Sequence, residues 1–355
     1  MKKTATALVL IAPFATASAQ TANVTLFGVA DAALRSVRND GLNSVNSMVS
    51  GSNATSRWGM RGSEDLGNGL NASFWLESGY AIDTGAIITN LFDRRATVSI
   101  GSRTMGELRL GRDFVPTYSN WSRFDPFSYV GAASSSNFVS ATPLGPVRTA
   151  FGSNPNTTVR SSNAVQYLLP SGLGGIEGGL MYAPDEAGTA ANGLHRVFGA
   201  RIGYAAGSIV LSAAIANTEN SLNPSVKFKD SVIAGSYDFG VVKISAAVRE
   251  FKIVNARQTN LLVGLVAPIG PGDLKLSYNR ADLKGSVGTI NIGANDGSQF
   301  GVGYVYNLSK RSALYGTYSR ITNKAAATFV VPGGATGLLG GKSSSGIEFG
   351  LRHTF

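Results

Sequence analysis

Arginine carries most of the chemistry this sequence can offer. Lys and Arg number 31 against 21 Asp and Glu, giving a formal charge of +10, and there are no cysteines and two histidines. Thiolate nucleophiles and cysteine-bearing metal sites are thereby excluded, and His195 and His353 form no H-E-x-x-H pair. Gly340-Gly341-Lys342-Ser343 fails the phosphate-loop spacing because Thr336 stands where a glycine is needed, and no helix pattern follows it. The serines are scattered, with no Ser-His-Asp or Ser-His-Asn arrangement. No catalytic residue, metal or cofactor is therefore expected. Guanidinium groups, by contrast, stay charged at any physiological pH, and a ring of them makes a channel prefer anions.

Which arginines share a face depends on the elements that carry them, and these read as strands. Apolar and polar residues alternate with period two almost from end to end. Val24, Leu26, Gly28, Ala30 and Ala32 form one face, with Thr25, Phe27 and Asp31 on the other. Trp58 and Met60 oppose Arg57, Gly59 and Arg61; Leu70, Ala72, Phe74 and Leu76 oppose Asn71, Ser73, Trp75 and Glu77. Near the end, Ile347, Phe349, Leu351, His353 and Phe355 alternate with Glu348, Gly350, Arg352 and Thr354. Helix-period segments are scarce, so the fold class is all-β.

The chain opens with Met1-Lys2-Lys3, an apolar run from Ala5 to Ala15, and Ala17-Ser18-Ala19. That order predicts an export leader over 1–19, too short to span a bilayer, leaving one domain over 20–355. Its removal takes two lysines and leaves a charge of +8. Export makes nucleic acid an implausible partner for this basic chain; anionic solutes and anionic lipid remain. Short turns near 64–69, 103–106, 170–174, 206–207, 239–240, 268–272 and 307–310 alternate with long stretches. The long ones fall near 38–55, 81–91, 114–157, 183–195, 219–227, 253–258, 282–295 and 323–344. Seven short and eight long connections join sixteen strands, an even number with one short-looped rim. Lipid tolerates no unpaired backbone group, so such a sheet must close. The expectation is a transmembrane antiparallel β-barrel of sixteen strands with a water-filled lumen. A soluble β-sandwich would alternate similarly; the leader, the asymmetric connections and the aromatic terminus Phe355 favour the barrel.

Five segments resemble one family. They are Val24 to Asp31, Ser56-Arg57-Trp58-Gly59-Met60-Arg61-Gly62-Ser63-Glu64-Asp65-Leu66-Gly67, Gly106 to Asp113, Asn307-Leu308-Ser309-Lys310-Arg311, and Gly350 to Phe355. Together they resemble the trimeric general porins of β-proteobacteria, the group containing the anion-selective porins. The resemblance spans essentially the whole mature chain. It implies an outer-membrane homotrimer in contact with lipopolysaccharide, inserted by the barrel-assembly machinery that reads the terminal Phe355. It also implies a third external loop folded into each pore. The longest connection, 114–157, is a candidate for that loop on length alone.

With apolar residues facing lipid, the opposite phase places Arg57, Arg61, Arg109, Arg160, Arg201, Lys243, Arg249 and Lys275 in the lumen. Arg95 falls inward if Val98 and Ile100 face out, while Arg94, near the loop, can also reach the pore. The resemblance points to Arg57, the Arg94-Arg95 pair and Arg160 as the constriction cluster. Asp31, Glu77 and Glu107 could pair with such arginines, but the candidate loop contains a single acid, Asp125, against Arg123 and Arg148. The expected function is a general diffusion pore for small hydrophilic solutes and ions, preferring anions. A substrate-specific channel with a binding track in the lumen is the alternative within transport; an adhesin or structural anchor with an occluded lumen is another.

Overall fold

Alternating sequence produces alternating exposure. In β1, Asp31, Ala33, Arg35 and Val37 are buried, while Leu34 between them is 65% exposed. That pattern needs an interior on the polar side and an apolar solvent outside. The computed structural model describes residues 23–139, 144–152, 158–185, 196–220 and 223–355; the expected leader lies outside them.

In chain order the strands are β1 (Asn23–Asn39), β2 (Val45–Ser50), β3 (Arg57–Gly67), β4 (Leu70–Gly79), β5 (Arg95–Ser102), β6 (Gly106–Phe114), β7 (Arg160–Leu168), β8 (Ile176–Ala183) and β9 (Arg196–Ala206). There follow β10 (Ile209–Asn220), β11 (Asn223–Asp238), β12 (Lys243–Ile253), β13 (Ala256–Ile269), β14 (Gly272–Val287), β15 (Ile290–Asn291), β16 (Gly297–Asn307), β17 (Ser312–Asn323) and β18 (Ser344–Thr354). Setting aside the accessory strands β2 and β15, sixteen antiparallel strands close into a barrel. Closure is the β1–β18 ladder, which pairs Val29 with Thr354 through to Asn39 with Ser344. Phe355 extends it: its N–H donates to Gly28 O and its carbonyl accepts from Gly28 N, both at 3.0 Å. A tight turn such as Asn68-Gly69, with both residues at positive φ, joins β3 to β4 as a two-residue hairpin requires.

The external connections differ from expectation in four places. Residues 45–50 form β2, which pairs back on β1. The stretches 219–227 and 253–258 are strand for most of their length, since β10 and β11 run to Asn220 and Asn223 and only Val254-Asn255 separates β12 from β13. Within 282–295, β14 continues to Val287 and turns into β15. The physical reason is common to all four. Above the membrane both strand faces meet water, so a ladder continues through polar residues that read as loop.

The third loop occupies the lumen. Helix α1 (Pro116–Phe124) starts on a proline, which suits the first helical position. Its Trp121 and Phe124 pack on Val232, Ala234, Ala247 and Leu262 of β11, β12 and β13. Beyond it come a 3-10 turn at Ser135–Phe138 and helix α2 (Pro146–Phe151). The loop tip is held by Ser319 Oγ, which donates to Ala132 O at 2.6 Å, and by Gln299 Nε2, which donates to Ala133 O at 2.8 Å. Two wall glycines admit it. A Cβ on Gly264 would lie 2.5 Å from Pro126, and one on Gly301 would lie 2.6 Å from Ala133. The loop thus covers the wall from β8 around to β18 and leaves β3 to β7 facing open lumen.

Candidate pore constriction

The uncovered wall carries the arginines. Register puts Glu77 opposite both Gly59 and Arg95, and Arg57 opposite Gly79, so Arg57, Glu77 and Arg95 share the inward phase. Glu77 is the hub. Its Oε1 accepts from Arg94 Nε at 2.5 Å and lies 3.7 Å from Arg57 Nε, and its Oε2 accepts from Trp75 Nε1 at 3.1 Å. Arg94 precedes β5 and escapes strand alternation, which is how both members of the Arg94-Arg95 pair reach the lumen side. Arg160 donates from Nε to Arg94 O at 2.9 Å and lies 4.6 Å over the Phe114 ring. These bonds bring Arg57, Arg94 and Arg160 into one cluster.

A second tier lies beside the first. Arg95 Nε donates to Thr97 Oγ1 at 3.1 Å and lies 3.4 Å from Asp113, a carboxylate shared with Arg109 Nη1 at 2.8 Å. Arg109 also makes a two-pronged pair with Glu107, at 2.9 and 3.0 Å. Arg61 and Arg95 lie over the Trp75 ring at 5.0 and 4.5 Å, contacts that fix cations without neutralising them. Arg112, which alternation did not flag, donates to Asp93 O at 2.7 Å and to Ser162 Oγ at 2.9 Å. Its phase is hidden by the bulge where the β6–β7 register shifts between Gly111 and Asp113.

The wall is not electrically balanced. Arg57, Arg61, Arg94, Arg95, Arg109, Arg112 and Arg160 stand with Glu77, Asp93, Glu107 and Asp113, a surplus of three positive charges. The facing loop does not offset it. Asp125 is buried and accepts from Phe127 N, Tyr129 N, Ser135 N and Ser135 Oγ, so its carboxylate serves the loop's own turns. Burial raises the Asp125 pKa above the ordinary carboxylate value, and those donated hydrogen bonds oppose the rise. Tyr118, against Phe114 and Tyr129, supplies the aromatic side of the passage.

Other inward charges have structural duties. Arg249 is fully buried and donates to Asp230 at 2.9 and 2.7 Å; Thr117 Oγ1 donates to the same carboxylate at 2.6 Å, and Arg249 Nη2 donates to Thr158 O at 3.1 Å. One ion pair therefore clamps both ends of the loop. Asp31 accepts from Ser52, Asn53 and Ala54 N–H groups and from Tyr315 O–H, tying down the segment before β3. Arg35 and Glu348, which sequence reasoning missed, pair at 2.7 Å beneath the loop tip, where Ala132 N donates to Glu348. Arg201 pairs with Glu177 at 3.0 Å, and Glu177 also contacts Arg123 of the loop. Arg201 and Glu177 border a cavity of about 780 Å³ toward the short-turn rim, lined also by Asn71 and Glu107. Lys243 is exposed on the inward phase of β12; Lys275 is inward on β14, within electrostatic reach of Asp125, Asp273 and Arg352. Arg352 donates to Asn53 Oδ1 at 2.8 Å.

A closed sheet with an apolar exterior, a charged interior and a loop folded inside is a membrane-spanning channel. The chain belongs to the Gram-negative porin family, whose match covers residues 4–326. It is similar to outer membrane porin protein 32 of Delftia acidovorans, at 35% identity over the full length of both chains. It is also similar to an outer-membrane porin protein of Bordetella pertussis, at 28% identity over the full length of both. Among solved structures it resembles the anion-selective porin from Comamonas acidovorans, with a TM-score of 0.80, 32% identity, and coverage of 94% of this chain and 100% of that one. The protein is an outer-membrane porin.

Proposed function

We propose that this porin is a general diffusion pore that prefers anions, with Arg57, the Arg94-Arg95 pair and Arg160 forming its selectivity constriction. One observation carries the reading: the open wall has a surplus of three positive charges, and the facing loop's one acid is buried in its own hydrogen bonds. The likeness to the anion-selective porin from Comamonas acidovorans supports it. A unit charge about 5 Å away is worth about 0.8 kcal/mol even at the dielectric constant of water. Passing anions gain that attraction from each unbalanced guanidinium, and cations lose it. Reversal potential under a potassium chloride gradient tests the proposal. The expected sign favours chloride; a sign favouring potassium would overturn it.

The leader over 1–19 is cleaved on export, and Phe355 marks the barrel for the assembly machinery. The mature chain works as a homotrimer embedded in lipopolysaccharide. Small residues on the outward face of β1, Ala30 and Ala32, suit close barrel-to-barrel packing. Analytical ultracentrifugation of mildly extracted protein should give three copies per particle, and a monomer would contradict the trimer.

A further inference from the structure

A row of bases crosses the outer surface at the external rim. Lys229 of β11 is directly opposite Lys252 of β12, Lys252 is opposite Arg257 of β13, and Arg257 is opposite Lys284 of β14. All four are exposed on the outward phase, because their neighbours Phe228, Phe251, Gln258 and Leu283 are buried. Like charges directly opposite on a sheet repel, with Cβ atoms about 4.5–5.5 Å apart. Arg257 has Glu250 at 3.4 Å and Lys284 has Asp282 at 3.7 Å, whereas Lys229 and Lys252 make no ion pair among the described residues. Such a row costs stability unless an anion lies across it.

The height of the row and the surface below it say which anion. From Phe239 at the short-turn rim to Lys229, ten residues rising about 3.3 Å each and tilted about 40° climb about 25 Å, the height of the apolar band. Lys229 therefore stands at the outer edge of the hydrocarbon. Below the β11–β12 end of the row, Leu180, Ile202, Ile215, Ile233 and Val248 line an outer-surface groove of about 630 Å³ that runs across β8 to β12 and reaches Glu250. A groove shaped for an acyl chain and topped by a basic row fits one molecule with both parts, a phosphorylated outer-leaflet glycolipid.

We propose that Lys229, Lys252, Arg257 and Lys284 bind the phosphate groups of a lipid A headgroup whose acyl chain lies in the groove below. The site rests on the barrel's place in the outer membrane and is independent of ion selectivity, since its side chains face away from the lumen.

The test uses full-length mature protein refolded in detergent without lipopolysaccharide, with bisphosphorylated lipid A as probe and native mass spectrometry as readout. Each base near an anionic membrane surface changes affinity roughly fivefold, so the variant K229Q/K252Q/R257Q/K284Q should bind at least about a hundredfold more weakly. Lys310→Gln with Arg311→Gln, at the opposite rim, should bind as the wild type does. Single-channel conductance and reversal potential of the quadruple variant should be unchanged, which separates failure of this site from failure of the pore. If that variant does not fold, K229Q/K252Q alone should still lose at least about tenfold. Undiminished binding by the variants, equal binding of phosphate-free lipid A, or full displacement by inorganic phosphate would overturn the proposal.

Discussion

Replacing Asp230 with alanine should release the third loop from the wall and widen the pore. Asp230 accepts two bonds from Arg249, at 2.9 and 2.7 Å, and one from Thr117 at the start of the loop. Arg249 is 0% exposed, and it also donates to Thr158 O, at the loop's end. Removing the carboxylate leaves a buried guanidinium without its counter-charge, a change that typically costs about 3–5 kcal/mol. At about 1.4 kcal/mol per factor of ten, the equilibrium between docked and released loop shifts by about two to three and a half orders of magnitude. Planar-bilayer recordings of Asp230→Ala should then show a larger or frequently switching single-channel conductance, and thermal unfolding should begin earlier. Asp230→Asn keeps the shape but not the charge and should fall between the two. A conductance and unfolding profile identical to wild type would show that the loop is held without this ion pair.

Anion preference should fade near about 1 M salt, where the Debye length is about 3 Å, compared with about 8 Å at physiological strength; a preference independent of salt would argue for steric rather than electrostatic control. Between about pH 5 and about pH 9 the preference should not change sign, because arginine keeps its charge throughout; inversion of the reversal potential in that window would point to other groups. Deleting Phe355 removes the last rung of the closing ladder, the paired bonds with Gly28, both 3.0 Å long. The deletion should lower the amount of inserted protein without altering conductance per channel, and normal insertion yields would contradict the role given to that residue.

Much of the barrel was legible because lipid and lumen enforce a strict two-residue period, as in Leu34 between buried Ala33 and Arg35. The same constraint stops at the membrane edge, which is why Ile253 to Gln258 read as loop although only two residues there leave the ladder. Phase also named the inward arginines, yet it gave no information on which of them keep a free charge. Arg249 and Arg57 carry the same alternation signal, but one is sealed against Asp230 under the loop and the other borders open lumen. That distinction depends on where the third loop docks, a tertiary contact between residues more than a hundred positions apart in the chain, such as Thr117 and Asp230. Arg112 escaped for a local reason, a bulge that breaks the count.

If the arginine wall sets ion preference, reversing charge at its core must change that preference. Arg57→Glu combined with Arg160→Glu changes the wall by four units, from a surplus of three positive charges to a deficit of one. The decisive measurement is the reversal potential of this double variant in a planar bilayer under a potassium chloride gradient, with Arg311→Glu on the short-turn rim as control. Chloride preference should be abolished or inverted in the double variant and retained in the control. A double variant as anion-selective as the wild type would contradict it.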